Sequence, residues 1–140
     1  MNRLIWTIGS LVLLLSCETP ENQSSFTQEK AHEHVNDFFK ALSTGDSTLM
    51  SNLLTEDFEM YEHEVLWNQD SLLSLMPLTL DRVWRVDSIS FHVDENIAHV
   101  YYFNESDKPK GRSWYESMLF IRESNKWKIR FMHSTKLYLK

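Results

Sequence analysis

From residue 80 to the C-terminus the chain reads as consecutive long strands, 82–93, 97–104, 113–123 and 125–138, and this run constrains the fold more than anything before it. The last strand is the clearest. Trp127, Ile129, Phe131 and His133 fall on one side of a two-residue period, and Lys128, Arg130, Met132 and Ser134 on the other. Such alternation marks a strand with one face on a core. Asn125 and Lys126 read as the hairpin turn ahead of it, and Asp94-Glu95-Asn96 joins the first two strands tightly. Sequential strands joined by turns make an antiparallel meander, and its apolar face has to be covered.

The cover lies upstream. Phe26, Ala31, Val35, Phe38, Phe39 and Leu42 recur at helical spacing and form one apolar stripe. Ser25 and Gln28 suggest a capping box at its start, and Gly45 a stop at its end. Asp46 caps a second, short helix that buries Leu49, Met50, Leu53 and Leu54. Residues 58–65 alternate as a short, acidic strand. A third helix, capped by Asn68 or Asp70, carries Leu72, Leu73, Leu75 and Met76 and ends at Pro77. Three helices followed by a meander give an α+β fold, with the helices on one face of the sheet.

At 140 residues the chain has room for one domain. Its net charge of −6 argues against nucleic acid as a partner, because binding to phosphates needs a basic stripe. Lys108, Lys110 and Arg112 are basic, but Glu105 and Asp107 sit beside them, as in a solvated turn. The single cysteine, Cys17, excludes an intramolecular disulfide. It follows a positive start at Arg3 and an apolar run, 4–16, that is shorter than the roughly 20 residues of a membrane crossing. Leu14-Leu15-Ser16-Cys17 resembles a bacterial lipoprotein signal. That resemblance implies a leader over 1–16, a lipidated Cys17 heading a polar tether over 17–25, and a domain over 26–140. It places the protein in the bacterial cell envelope, on a membrane through its N-terminal lipid.

The domain itself resembles the nuclear transport factor 2-like superfamily, including its SnoaL-like members and kinase II association domains. Four segments carry the likeness in order. Phe38, Ala41, Gly45 and Asp46 match the end of the first helix, and Leu53-Leu54-Thr55-Glu56-Asp57-Phe58 the approach to the first strand. Asn96, Ala98 and Val100 match a middle strand, and Trp127, Ile129, His133 and Ser134 the closing one. The resemblance implies a cone-shaped fold: three N-terminal helices on a curved antiparallel sheet, enclosing a pocket open at one end. Homodimers through the outer face of the sheet occur among its members.

Glu116 is the leading candidate for chemistry. Its strand sets it among Trp114, Met118 and Phe120, and a carboxyl buried there would titrate near neutrality and move protons; the alternative is an edge Glu paired with Arg85, Arg112 or Arg130, or one facing solvent. His99, alongside Ile97, Tyr101 and Phe103, and His133, alongside Trp127, Ile129 and Phe131, are candidate bases, balanced against purely structural roles. The resemblance ranks His133 first. The expected pocket lining is Tyr61, His63, Trp84, Tyr101, Trp114, Glu116, Phe131 and His133. The histidines lack metal-ligand spacing, so neither metal nor cofactor is expected. No position matches the ketosteroid isomerase motif closely enough to carry its catalytic residues across. The expected function is therefore a lipid-anchored pocket domain that binds a small apolar ligand or serves as an accessory dimer subunit. The alternatives are an isomerase-like or dehydratase-like enzyme using Glu116 with a histidine, and a structural partner in an envelope complex.

Overall fold

The computed structural model describes residues 25–138. The leader, Cys17 and nearly all of the tether fall outside them. Helix α1 spans Gln28–Thr44 and α2 Ser47–Leu53. Strands β1 (Leu54–Glu62) and β2 (Val65–Asn68) form a hairpin, followed by α3 (Gln69–Leu75) and a short 3-10 turn at Met76–Leu78. The long strands are β3 (Trp84–Asp94), β4 (Ile97–Ser106), β5 (Arg112–Glu123) and β6 (Lys126–Leu137).

The strands form one six-stranded sheet in the order β2-β1-β6-β5-β4-β3. The sheet is mixed, which corrects the antiparallel expectation: β1 runs parallel to β6. A parallel neighbour needs a long crossover, and the chain between β1 and β6 supplies it through α3 and the whole meander. The expected strand over 58–65 is in fact two strands. His63 and Glu64 take left-handed conformations, φ 50° and 65°, and turn the chain back. Both residues of a tight primed hairpin turn have this geometry. Ser124 and Asn125 do the same between β5 and β6, one residue earlier than the sequence suggested.

Helix α1 lays Ala31, Val35, Phe38, Phe39, Ala41 and Leu42 on the sheet. Its cap is Thr27, whose hydroxyl accepts from the Lys30 N–H at 3.2 Å, rather than Ser25. Phe26 explains the shift, because it is drawn into the core just before the helix starts. Its ring lies 5.9 Å from Phe91 on β3, 5.2 Å from Phe120 on β5 and 5.0 Å from Trp127 on β6. In a flat sheet β3 and β6 would stand about 14 Å apart at three strand spacings. One ring reaches both because the sheet curls around α1, and this aromatic cluster closes that end of the fold.

Bulges adjust which face each strand presents. In β6, Ile129 pairs with Phe120 and Phe131 with Leu119, which leaves Arg130 as an extra residue. Beyond it the faces exchange: Met132 and Ser134 are buried, while Phe131 is half-buried and His133 exposed. In β3, Ser88, with φ 55°, lies in a similar irregularity between Asp87 and Ser90.

Phe120 is fully buried at the closed end, against Phe26 and His34. Replacing it with Ala should lower unfolding free energy by about 3–5 kcal/mol. Urea denaturation measures this, and a loss no larger than that of a surface mutation would contradict a packed aromatic end.

Candidate functional site in the open end of the curled sheet

Successive rows on the inner face of the sheet grade from apolar to polar. Beside the aromatic end, Val100, Met118 and Met132 pair across β4, β5 and β6. The next row is polar: Tyr102 on β4, Glu116 on β5, Ser134 on β6 and Glu62 on β1. Two residues further along β5 is Trp114, and two beyond that is Arg112 at the start of the strand.

Between these rows and the helices lies a cavity of about 230 Å³. Phe38, Phe39, Leu42, Leu72 and Leu75 form its helical wall, and Trp84, Trp114, Met60 and Met132 its sheet wall. The Trp84 and Trp114 rings stand 5.9 Å apart, centre to centre. Leu78 and Arg112, both exposed, mark the opening, with Arg82 beside them. Hydrogen bonds fix this lip to the end of α1: Thr79 Oγ1 donates to the Leu42 carbonyl and Ser43 Oγ to the Arg82 carbonyl, each at 2.8 Å. Gly45 ends α1 at φ 69°, and a Cβ there would stand 2.9 Å from the Leu80 side chain.

Glu116 sits at the floor, only 8% exposed. Tyr102 Oη donates to its Oε2 at 2.7 Å, and Ser134 Oγ to its Oε1 at 3.1 Å. Both donors are its direct cross-strand partners, so the register itself builds the contact. Burial raises the carboxyl from 4.5 to about 7; its hydrogen-bonding neighbours oppose the rise, and the charge of Glu62 adds to it. Burial, and then Glu116 itself, holds the Tyr102 phenol well above its ordinary range. Asn104, fully buried two residues along β4, has no hydrogen bond of ordinary geometry on its side chain, although its amide also favours the ionised carboxyl.

Of the residues expected in the pocket, Trp84, Trp114 and Glu116 line this cavity. The others do not. Tyr61, Tyr101 and His133 are exposed on the opposite face of the sheet, and Phe131 is half-buried there. The bulge at Arg130 turned Phe131 and His133 outward, and Tyr61 pairs with His133 in the parallel ladder. His99 is also exposed on that face, 5.6 Å from the Tyr101 ring, and Tyr101 Oη is 3.1 Å from His92 Nε2. His63 occupies the β1–β2 turn. No histidine therefore lines the cavity with Glu116. The sequence reading missed Tyr102, Ser134, Glu62, Arg82 and Arg112. Both faces of β4 carry aromatic residues, so alternation alone offered no signal for Tyr102 over Tyr101. Among the described residues, no three His, Cys, Asp or Glu side chains cluster as a metal site.

No protein-family model matches the chain, and no curated protein does. Solved structures match well. A cystatin-like fold protein of unknown function from Nostoc punctiforme superposes with a TM-score of 0.70 at 9% identity, over 81% of this chain and 95% of that one. An NTF2-like protein from Cytophaga hutchinsonii gives 0.67 at 11%, over 80% and 100%. The fold is NTF2-like. A proposed ketosteroid isomerase from Shewanella frigidimarina shares it, with a TM-score of 0.65 at 16% identity over 75% of this chain and 94% of that one. At these identities the NTF2-like fold is what is shared, and function has to be argued from the site.

Folding takes up a proton at Glu116 between pH 4.5 and about 7. The protonated carboxyl's contribution to stability is complete below 4.5 and lost as pH rises through about 7, a difference of about 3 kcal/mol. Urea unfolding of Glu116→Gln across this range should lack the decline seen in the wild type. Identical profiles for both proteins would contradict a buried carboxyl.

Proposed function

We propose that the domain binds a small, largely apolar organic molecule in the open end of the curled sheet, with Glu116 as its polar contact. The observation that carries this reading is the setting of Glu116: one carboxyl, held on both sides by hydroxyl donors, at the floor of an aromatic cavity. Ligand sites commonly combine apolar walls with a few fixed polar groups. A cavity of about 150 Å³ accepts benzene, so about 230 Å³ suits a single ring with small substituents. Protonated Glu116 donates to a carbonyl; ionised, it accepts from a hydroxyl. Both forms are populated near neutrality.

That balance also favours a second reading, proton transfer on the bound molecule. A carboxyl with a pKa near the working pH is suited to general acid–base catalysis. Deuterium exchange at the carbon beside the carbonyl of cyclohexanone, followed by NMR in heavy water, tests it. Wild-type protein should accelerate exchange, and Glu116→Ala should reduce that acceleration by about 10²-fold or more. Equal acceleration by both proteins would eliminate Glu116 as the base.

We propose further that Cys17 is lipidated and holds this domain at the envelope membrane, as the Leu14-Leu15-Ser16-Cys17 pattern suggests. Two or more acyl chains make such attachment stable where one does not. Radiolabelled fatty acid should enter the wild-type chain and not Cys17→Ala; equal labelling would overturn the assignment.

A further inference from the structure

We propose that the cavity selects an anionic ligand, with Arg82 and Arg112 forming a carboxylate-binding pair at its mouth. The ligand class is then a small ring acid that carries a hydroxyl or keto group opposite its carboxylate. This rests on the reading of the cavity as a ligand site and names what that site accepts.

The first support is the pairing of the arginines. Arg85 is bound to Glu105 and Arg130 to Asp57, each at 2.9 Å, and Arg122 donates to the Asn125 amide at 3.1 Å. Arg82 and Arg112 are the two that line the cavity, and among the described residues neither is paired with a carboxylate. Arg82 donates only to the Leu78 carbonyl, at 2.9 Å, with its guanidinium 5.8 Å from the centre of the Trp84 ring. That contact orients a flat, bidentate donor without consuming its charge. Two guanidinium groups without a carboxylate partner thus share one opening, in a chain of net charge −6.

The second support is the spacing. Arg112 and Glu116 share a face of β5 four residues apart, about 13 Å along the strand. Trp114 lies between them, and Trp84 flanks it from β3. A ring on the tryptophans presents one substituent to the arginines and the opposite one to Glu116. Glu62, the other carboxylate on the wall, belongs to the Glu116 row and pairs in register with Ser134. It therefore stands away from the cationic end. Asp81 and Asp107 flank the lip but do not line the cavity. A carboxylate is favoured because a guanidinium binds it bidentately, in a charge-assisted geometry that a neutral alcohol cannot reproduce.

Tryptophan fluorescence titration with matched probes tests this. The pairs are 4-hydroxybenzoate with 4-hydroxybenzyl alcohol, and 4-oxocyclohexanecarboxylate with 4-(hydroxymethyl)cyclohexanone. In each pair the acid should bind wild-type protein about tenfold or more tightly than the alcohol. Arg112→Gln and Arg82→Gln should each reduce the ratio of acid to alcohol affinity towards one, and raised salt should weaken the acids alone. Arg112 is exposed, so its variant should fold normally, as circular dichroism will check. Equal affinity of acid and alcohol, or a preference that survives both substitutions, would overturn the anion site and leave the ligand pocket standing. Binding of none of the four probes would overturn the pocket reading and this proposal with it.

Discussion

The site depends on one extra residue in β6, Arg130, and on what holds it there. A bulge costs a strand its ladder pairing at one position and exchanges its faces beyond that point. Here the unpaired residue is an arginine whose Nε contacts Asp57 Oδ2 at 2.9 Å and whose Nη1 donates to the Asp57 carbonyl. Asp57 lies within the irregular stretch of β1, between its pairings at Leu54 and Glu59. The two irregularities therefore face each other across a parallel pair and are tied together. The ion pair is partly exposed, so its direct stabilisation is modest, on the order of 0–1 kcal/mol. Its consequence is geometric: beyond it, Met132 and Ser134 face the cavity.

The cavity chemistry follows from that exchange. Ser134 reaches Glu116 because β6 has changed faces by the time it passes β5 at that row. Without the exchange His133 would occupy the position, and a histidine beside a carboxyl would form a charged pair. The serine and the Tyr102 phenol give the carboxyl hydrogen bonds but no positive charge. Burial therefore prevails over its neighbours and carries the carboxyl to about 7. A group at that balance can hold or release its proton at small cost. A cation in place of Ser134 would have fixed it as a carboxylate.

Much of this fold was legible in the sequence. The helical stripe from Ala31 to Leu42, the capping of α2 by Asp46 and the stop at Gly45 are local matters of spacing and hydrogen bonding, and they appear where expected. Glu116 was legible as well, because β5 is regular from Trp114 to Phe120 and every second residue stays inside. What could not be read was anything that depends on counting across a bulge. Alternation assigns Trp127, Ile129, Phe131 and His133 to one face, and nothing in the composition of β6 marks Arg130 as the extra residue. In β4 both faces carry aromatic residues, so Tyr101 and Tyr102 are equally plausible inside. The choice is made by register with β5, a non-local property. The parallel pairing of β1 with β6 is non-local in the same way.

The order of the inner rows connects fold to function. The two ends of this curled sheet differ in what fills them. Large aromatic rings fill the tight end, where Phe26 reaches three strands at once. At the open end there is space that the helices do not fill, and a polar group there escapes full desolvation only near the rim. Glu116 sits behind the rim, two rows in from Arg112, where it is dry enough to be perturbed and still borders the cavity. The cavity therefore runs from a cationic, solvated mouth, past two indole rings, to a near-neutral carboxyl. Such a gradient matches a molecule that is itself polar at both ends and apolar between them.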